Sequence, residues 1–304
     1  MKSYFILNFL SLFRVFSTDY SIFNFTNMKQ IFSIVSASFI AFSTLAQGIK
    51  MPAPSPSQTI KQDFALSHIE VSYSRPVMKG RVIFGDLVPF GKVWRTGANN
   101  ATRITFGEDV KVGGVAVKAG SYALYTIPDK TEWEVILNKS TQNWGSNGYD
   151  KADDVARFKV KPMALAQSVE SFTIQLADVV NNKANVQIMW EKTGVSFPVE
   201  ADIDTKIMAQ INTAMNVDSK PYFQAASYYF EAGKDLKQAA TWAAKAVEAQ
   251  PKAYWVVLLQ ARILAQMGDK KGALEASNRS LALAKEAGNE DYVALNQKLQ
   301  ATLK

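Results

Sequence analysis

The spacing of apolar residues changes once along this chain, near residue 200, and that change constrains the fold more than any other feature. Upstream of it the period is two. His68-Ile-Glu-Val-Ser-Tyr-Ser74 puts Ile69, Val71 and Tyr73 on one face and leaves His68 and Glu70 on the other. Alternation of this kind marks a half-buried strand. Arg103–Phe106, Ser121–Ile127, Trp133–Leu137, Phe172–Leu176, Ala184–Trp190 and Val195–Val199 continue the pattern. Val110–Val112 and Val115–Val117 flank Gly113-Gly114 and predict a hairpin on a glycine turn. Only Asp150 to Phe158 reads as helical, with Asp153 or Asp154 as its cap. Short strands with frequent turns predict an antiparallel β-sandwich or barrel-like domain over residues 58–200. Downstream the period is helical, with Ile203, Ile207, Ile211 and Met215 along one face. The whole is an α+β chain whose two regions are each long enough to bury a core.

Composition removes several chemistries. There is no cysteine, which excludes disulfides, thiol nucleophiles and Cys-ligated zinc. The single histidine, His68, rules out a multi-His metal site within one chain. It sits on the polar face of its strand and reads as a surface or loop-packed residue, not a base. The net charge of +7 is spread without a dense Lys/Arg run, so nucleic acid is a poor partner. No G-x-S-x-G elbow, H-E-x-x-H motif or phosphate-binding loop occurs. No catalytic residue, metal ligand or cofactor is assigned on this basis.

The N-terminus reads as a targeting segment. Met28-Lys29-Gln30 opens a second start, Ile31 to Leu45 forms an apolar run, and Thr44-Leu45-Ala46 gives a small-x-small site before Gln47. These are the three regions of a secretory signal peptide. Translation from Met28 and cleavage after Ala46 are expected, with residues 1–27 upstream of the true start. A first hydrophobic anchor is the rival reading, but Arg14 and Asp19 interrupt it. Residues 47–57 contain Met51-Pro-Ala-Pro-Ser-Pro-Ser57, a linker that resists regular structure. The expected location is periplasmic or secreted, with no stable membrane span after cleavage.

One segment departs from plain β patterning. Residues 74–102 are crowded with Gly, Pro, Arg and Asn. The runs Tyr73-Ser-Arg-Pro76, Lys79-Gly-Arg81, Val88-Pro-Phe-Gly91 and Val93-Trp-Arg-Thr-Gly-Ala-Asn99 resemble the bacterial family called domain of unknown function 2911. So do Ala119-Gly-Ser-Tyr-Ala-Leu-Tyr-Thr-Ile-Pro128 and the Trp190-Glu191 ending. The resemblance covers roughly residues 55–200. It implies an exported bacterial protein, often with a helical-repeat tail, and it brings no catalytic residues with it.

The helical region carries a repeat. Ala239 and Ala273 stand one repeat apart, as do Ala246 and Ser280, and Gly233 and Gly268 fall at the inter-helix turns. With Pro251 as the closing proline, Ser227, Ala239 and Ala246 take the small positions and Phe230 the aromatic one. This resembles about two tetratricopeptide repeats over 201–304, with Asn289–Leu303 as a capping helix. The second copy has Lys285 where the proline belongs. Such a tail either holds a peptide or protein partner or packs on the β domain; the second reading is favoured, because independent arrays need at least three repeats.

The candidate ligand surface is Arg75, Lys79, Arg81, Trp94, Arg95, Asn99, Asn100 and Arg103. Forked guanidiniums and amides bind carboxylates, phosphates or sugars. The competing explanation is that these arginines tie strands together. Trp144, in the polar run Gln142-Asn-Trp-Gly-Ser-Asn-Gly148, is the tryptophan expected to be exposed, while most of the others belong to the core. Asp150, Asp153 and Asp154 offer a Ca²⁺ reading or, more simply, helix capping. The function these features favour is a non-enzymatic binding module for an anionic or glycan ligand or a protein. The alternative is a cell-envelope enzyme acting on carbohydrate through paired carboxylates.

Overall fold

The computed structural model describes residues 51–217 and 220–303. The targeting segment, the start at Met28 and the cleavage after Ala46 lie outside them. Ten strands come first: β1 (Ser57–Phe64), β2 (Ser67–Ser74), β3 (Thr102–Phe106), β4 (Val110–Val112), β5 (Val115–Val117), β6 (Gly120–Ile127), β7 (Trp133–Asn138), β8 (Asp154–Val160), β9 (Met163–Val180) and β10 (Lys183–Ala201). They form a six-stranded sheet in the order β1-β2-β3-β6-β7-β8 and a four-stranded sheet in the order β5-β4-β10-β9. Every strand pair is antiparallel. The sheets are separate layers, not a closed barrel.

Alternation sets the core. Ile69, Val71 and Tyr73 of β2, Ile104 and Phe106 of β3, and Val135 and Leu137 of β7 point inward. They meet Phe172 and Ile174 of β9 and Val186, Ile188 and Trp190 of β10. The opposite, outer face of the six-stranded sheet is not bare. Ala101, Ala123, Tyr125 and Ile136 form a second, smaller buried cluster there, with Val93 and Tyr149 packed on it. Loops 93–101 and 139–149 cover that face, and the candidate site lies on them.

Two expectations are corrected. Asp150–Phe158 is not a helix: a single 3₁₀ turn at Lys151–Asp153 is capped by Asp150, whose carboxylate accepts from the Ala152 N–H, and β8 follows. Pairing of Ala156 with Leu137 on β7 buries Ala156 in the core, and this tertiary gain overrides a short helical pattern. The segment 184–199 is one long strand and not two. Register shifts around Met189 and Glu191, with Glu191 at φ 55°, bend β10 without ending it.

Six helices follow: α1 (Asp204–Ala214), α2 (Tyr222–Glu231), α3 (Leu236–Ala249), α4 (Tyr254–Gln266), α5 (Lys270–Glu286) and α6 (Glu290–Leu303). Small residues let neighbouring helices approach: Ala226, Ala239 and Ala243 are fully buried, as are Ala261, Ala273, Ser277 and Ser280. Asp235 and Asp269 cap α3 and α5 through their carboxylates. The helices use their apolar faces on one another. Among the described residues, one side-chain bond links them to the sheets, from Lys206 Nζ to Glu108 Oε2 at 2.7 Å, and Ile203 packs on the β core beside it. The buried cluster of the sheets and those of the helices share no residue. No described helix is long and apolar enough to cross a membrane.

Candidate functional site

The site grows from Trp94. Its backbone exchanges two hydrogen bonds with Thr126, at 2.7 and 3.0 Å, which extends the sheet beyond β3. Its ring enters the core, stacks on Trp190 at 6.1 Å and donates from Nε1 to the Gly97 carbonyl. Because Trp94 faces inward, alternation turns Val93 and Arg95 to the outer face. Thr96 and Thr102 are fully buried and fasten the following turn, the Thr102 hydroxyl donating to the Thr96 carbonyl. At Gly97, with φ 151°, a Cβ would lie 3.1 Å from the Ser74 carbonyl oxygen, so glycine is required by space and conformation together. Asn99 takes the left-handed conformation at φ 59°, and its amide donates to the Ser74 hydroxyl.

The turn then locks onto the second loop. The Ala101 N–H donates to the Asn143 carbonyl and the Gly145 N–H to that of Asn99, pairing Asn100 with Trp144. The Asn143 amide donates to the Tyr125 hydroxyl beneath, and the Ser146 hydroxyl to the Val93 carbonyl. The Trp144 ring stands on this crest, 65% exposed. Trp94, Trp133 and Trp190 are core.

A polar network supports the second loop. Arg157 donates to Asp154, at 2.8 and 3.2 Å, and to Glu134. The Tyr149 hydroxyl donates to Asp154, and Asn138 spans Asp154 and the Asp150 carbonyl. Burial, and next the bond to Asp154, push the Tyr149 phenol up to about 12. Asp153 accepts from the Ser140 hydroxyl. The three aspartates are thus occupied by internal donors, and only Asp150 caps anything.

Arg95 stands apart. It is half-buried against Gly145, where a Cβ would lie 3.2 Å from Nη1. Its Nε is buried and has no hydrogen-bond partner among the described residues. Burial lowers its pKa. Arg157, on the same face, has two carboxylates. A buried guanidinium nitrogen without an acceptor is costly and needs a reason.

On the other side of Ala101, Arg103 projects from β3 to the outer face and is exposed. It lines a cleft of about 210 Å³ with Thr59, Ser72, Ser74, Asn100 and Gln142.

The eight expected residues therefore divide. Arg95, Asn99, Asn100 and Arg103 share the crest and its cleft. Arg75 instead donates from Nε to the Phe172 carbonyl at 2.9 Å and from Nη2 to Thr173 Oγ1 at 2.8 Å, clamping β9 to β2. Arg81 donates to the carbonyls of Met78 and Val77 within its own turn. The backbone N–H of Lys79 donates to Glu170. Trp94 lies in the core. Sequence reasoning missed Ser72, Ser74, Gln142 and Asn143; the polar run around Trp144 was the signal available for the last two.

A larger cleft, about 420 Å³, lies elsewhere, beside Asp109, Lys118, Glu200 and Asp202. A side-chain bond from Lys118 holds the Asp109 carboxyl below its usual range. No curated protein matches this chain, and no solved structure does. Residues 55–199, which hold both sheets and the whole crest, match the model of a family described only as protein of unknown function DUF2911, in support of the resemblance read from the motifs.

Proposed function

We propose that this chain is an exported, non-enzymatic binding protein that takes an anionic ligand on the outer-face crest, with Arg95 as the anchor. The observation that carries this reading is the Arg95 guanidinium, half-buried and lacking an acceptor for Nε. Nε itself is covered, so a ligand oxygen would bond the Nη end of the same fork, which lies beside Gly145, and charge-assisted bonds of this kind are the strong ones. The strained, tightly bonded turn from Thr96 to Asn99 supports the reading, because it fixes the loop before any ligand arrives. Export rests on the Met28–Ala46 segment, and the periplasm or the medium is the compartment it implies. In this reading the tail is a pair of tetratricopeptide-like helical hairpins with a cap, available to a partner.

The enzyme reading is weaker. A glycosidase needs one carboxyl with a raised pKa facing another. In the large cleft the Asp109 carboxyl moves the other way, and on the crest Glu134 and Asp154 are both engaged by Arg157. The test is a thermal-shift and calorimetric titration with citrate, inorganic phosphate and trigalacturonate. At least one should bind the natural chain and fail to bind Arg95→Met. Equal binding by both chains would overturn Arg95 as the anchor.

A further inference from the structure

We propose that the ligand of this crest is an acidic oligosaccharide, a glycan bearing a hexuronate carboxylate; this rests on the anion-binding reading of Arg95. Three features meet on one face. The first is Trp144. Its ring is 65% exposed, although the loop carrying it is bonded on both sides, by Asn143 to Ala101 and by Gly145 to Asn99. The loop presents the indole to solvent from a fixed base. A fixed, exposed indole is a stacking platform for the apolar face of a sugar ring.

The second is the chemistry of the adjoining cleft. Thr59, Ser72, Ser74, Asn100 and Gln142 line it, and all are neutral groups that can both donate and accept. Sugar hydroxyls also do both, so the two sets can satisfy each other. Inorganic phosphate or citrate presents mostly acceptors and would leave the hydroxyl and amide lone pairs of the cleft facing its own. The volume, about 210 Å³, is below the ~300 Å³ at which drug-sized pockets begin and suits one small ring.

The third is the pair of guanidiniums. Arg103 lines the cleft, and Arg95 lies against Gly145, the residue after Trp144. A neutral glycan offers Arg95 only uncharged hydroxyl acceptors, whereas a carboxylate accepts two parallel, charge-assisted bonds from such a fork.

The experiment is calorimetry and tryptophan fluorescence on the full chain with trigalacturonate, maltotriose, citrate and inorganic phosphate. Trigalacturonate should bind and perturb the emission, and maltotriose should bind at least tenfold more weakly. Trp144→Ala should weaken trigalacturonate about tenfold and abolish the emission change, a factor of ten being ~1.4 kcal/mol. Arg103→Gln should weaken it by a similar factor. Equal binding of maltotriose would overturn the acidic assignment. Binding of citrate or phosphate that depends on Arg95 but not on Trp144, with none of trigalacturonate, would overturn the glycan and leave the anion anchor standing. No Arg95-dependent binding of any probe would overturn both.

Discussion

Arg75 and Arg95 offer a matched pair of perturbations with opposite expected outcomes. Both are half-buried arginines in one Gly- and Pro-rich run. Arg75→Met keeps the apolar stem and removes two bonds, to the Phe172 carbonyl and to Thr173 Oγ1. Bonds from a charged donor contribute ~1.5–3 kcal/mol each. Thr173 keeps a second partner in the Ser171 carbonyl, so its share is at the low end. The loss should total about 3–4.5 kcal/mol. At ~2–4 °C per kcal/mol for a domain of this size, the melting temperature should fall by about 6–18 °C. Arg95→Met removes no protein hydrogen bond and relieves a desolvated cation, so stability should stay within about 0.5 kcal/mol. Thermal and urea unfolding by circular dichroism, in a buffer free of multivalent anions, reads both. If Arg95→Met falls as far as Arg75→Met, Arg95 is a structural tie and the anchor argument is wrong.

Two further outcomes follow from the structure. Because the Tyr149 phenol stands at about 12 in the fold and at ~10 in an unfolded chain, its contribution is full below pH ~10 and lost as the pH rises toward 12; Tyr149→Phe should flatten that alkaline decline in urea midpoints, and an unchanged slope would remove Tyr149 from the network. A chain ending at Asp202 should lose only the Ile203 packing and the Lys206–Glu108 pair, at most about 3 kcal/mol, and keep cooperative unfolding of the sheets; a β domain that fails to fold alone would show that the tail is part of its core.

Much of the architecture was legible because burial of one face imposes alternation. Ile69, Val71 and Tyr73 are buried while Glu70 and Ser72 between them are not, and Gly113-Gly114 turns β4 into β5 with both residues at positive φ. The failures have physical causes. β8 is short and lies at a sheet edge, so its Ala and Arg positions carry a weak period, and only its pairing with β7 decides the state. The Met163–Val169 half of β9 is also an edge, largely exposed, and shows little alternation to read. The candidate site was half legible for a different reason. Residue types mark Arg75 and Arg95 equally, but the partner of Arg75 is on β9, nearly a hundred residues downstream. Only topology brings an acceptor to Arg75, and only the inward anchor at Trp94 sends Arg95 to the face where none is supplied.

The same logic separates the site from the tail. Closely packed helices spend their small residues on crossings, and the buried alanines and serines of α2 to α5 do this. With those faces consumed, the described residues show one side-chain ion pair from the helices to the sheets, beside the packing of Ile203 just ahead of α1. Lys206 is still half-exposed, so the pair is a tether and not a cohesive interface. Glu108 nevertheless also accepts from the Leu66 N–H at the β1–β2 turn, so the tether lands on the core sheet and not on a loose loop. The crest draws its hydrogen-bonded supports from residues 55–157 and the packing under Trp94 from Phe172 and Trp190, and among the described residues none comes from the helices. A ligand on the crest and a partner on the tail would therefore be held by separately stabilised parts of one chain, and losing one should leave the other's binding intact.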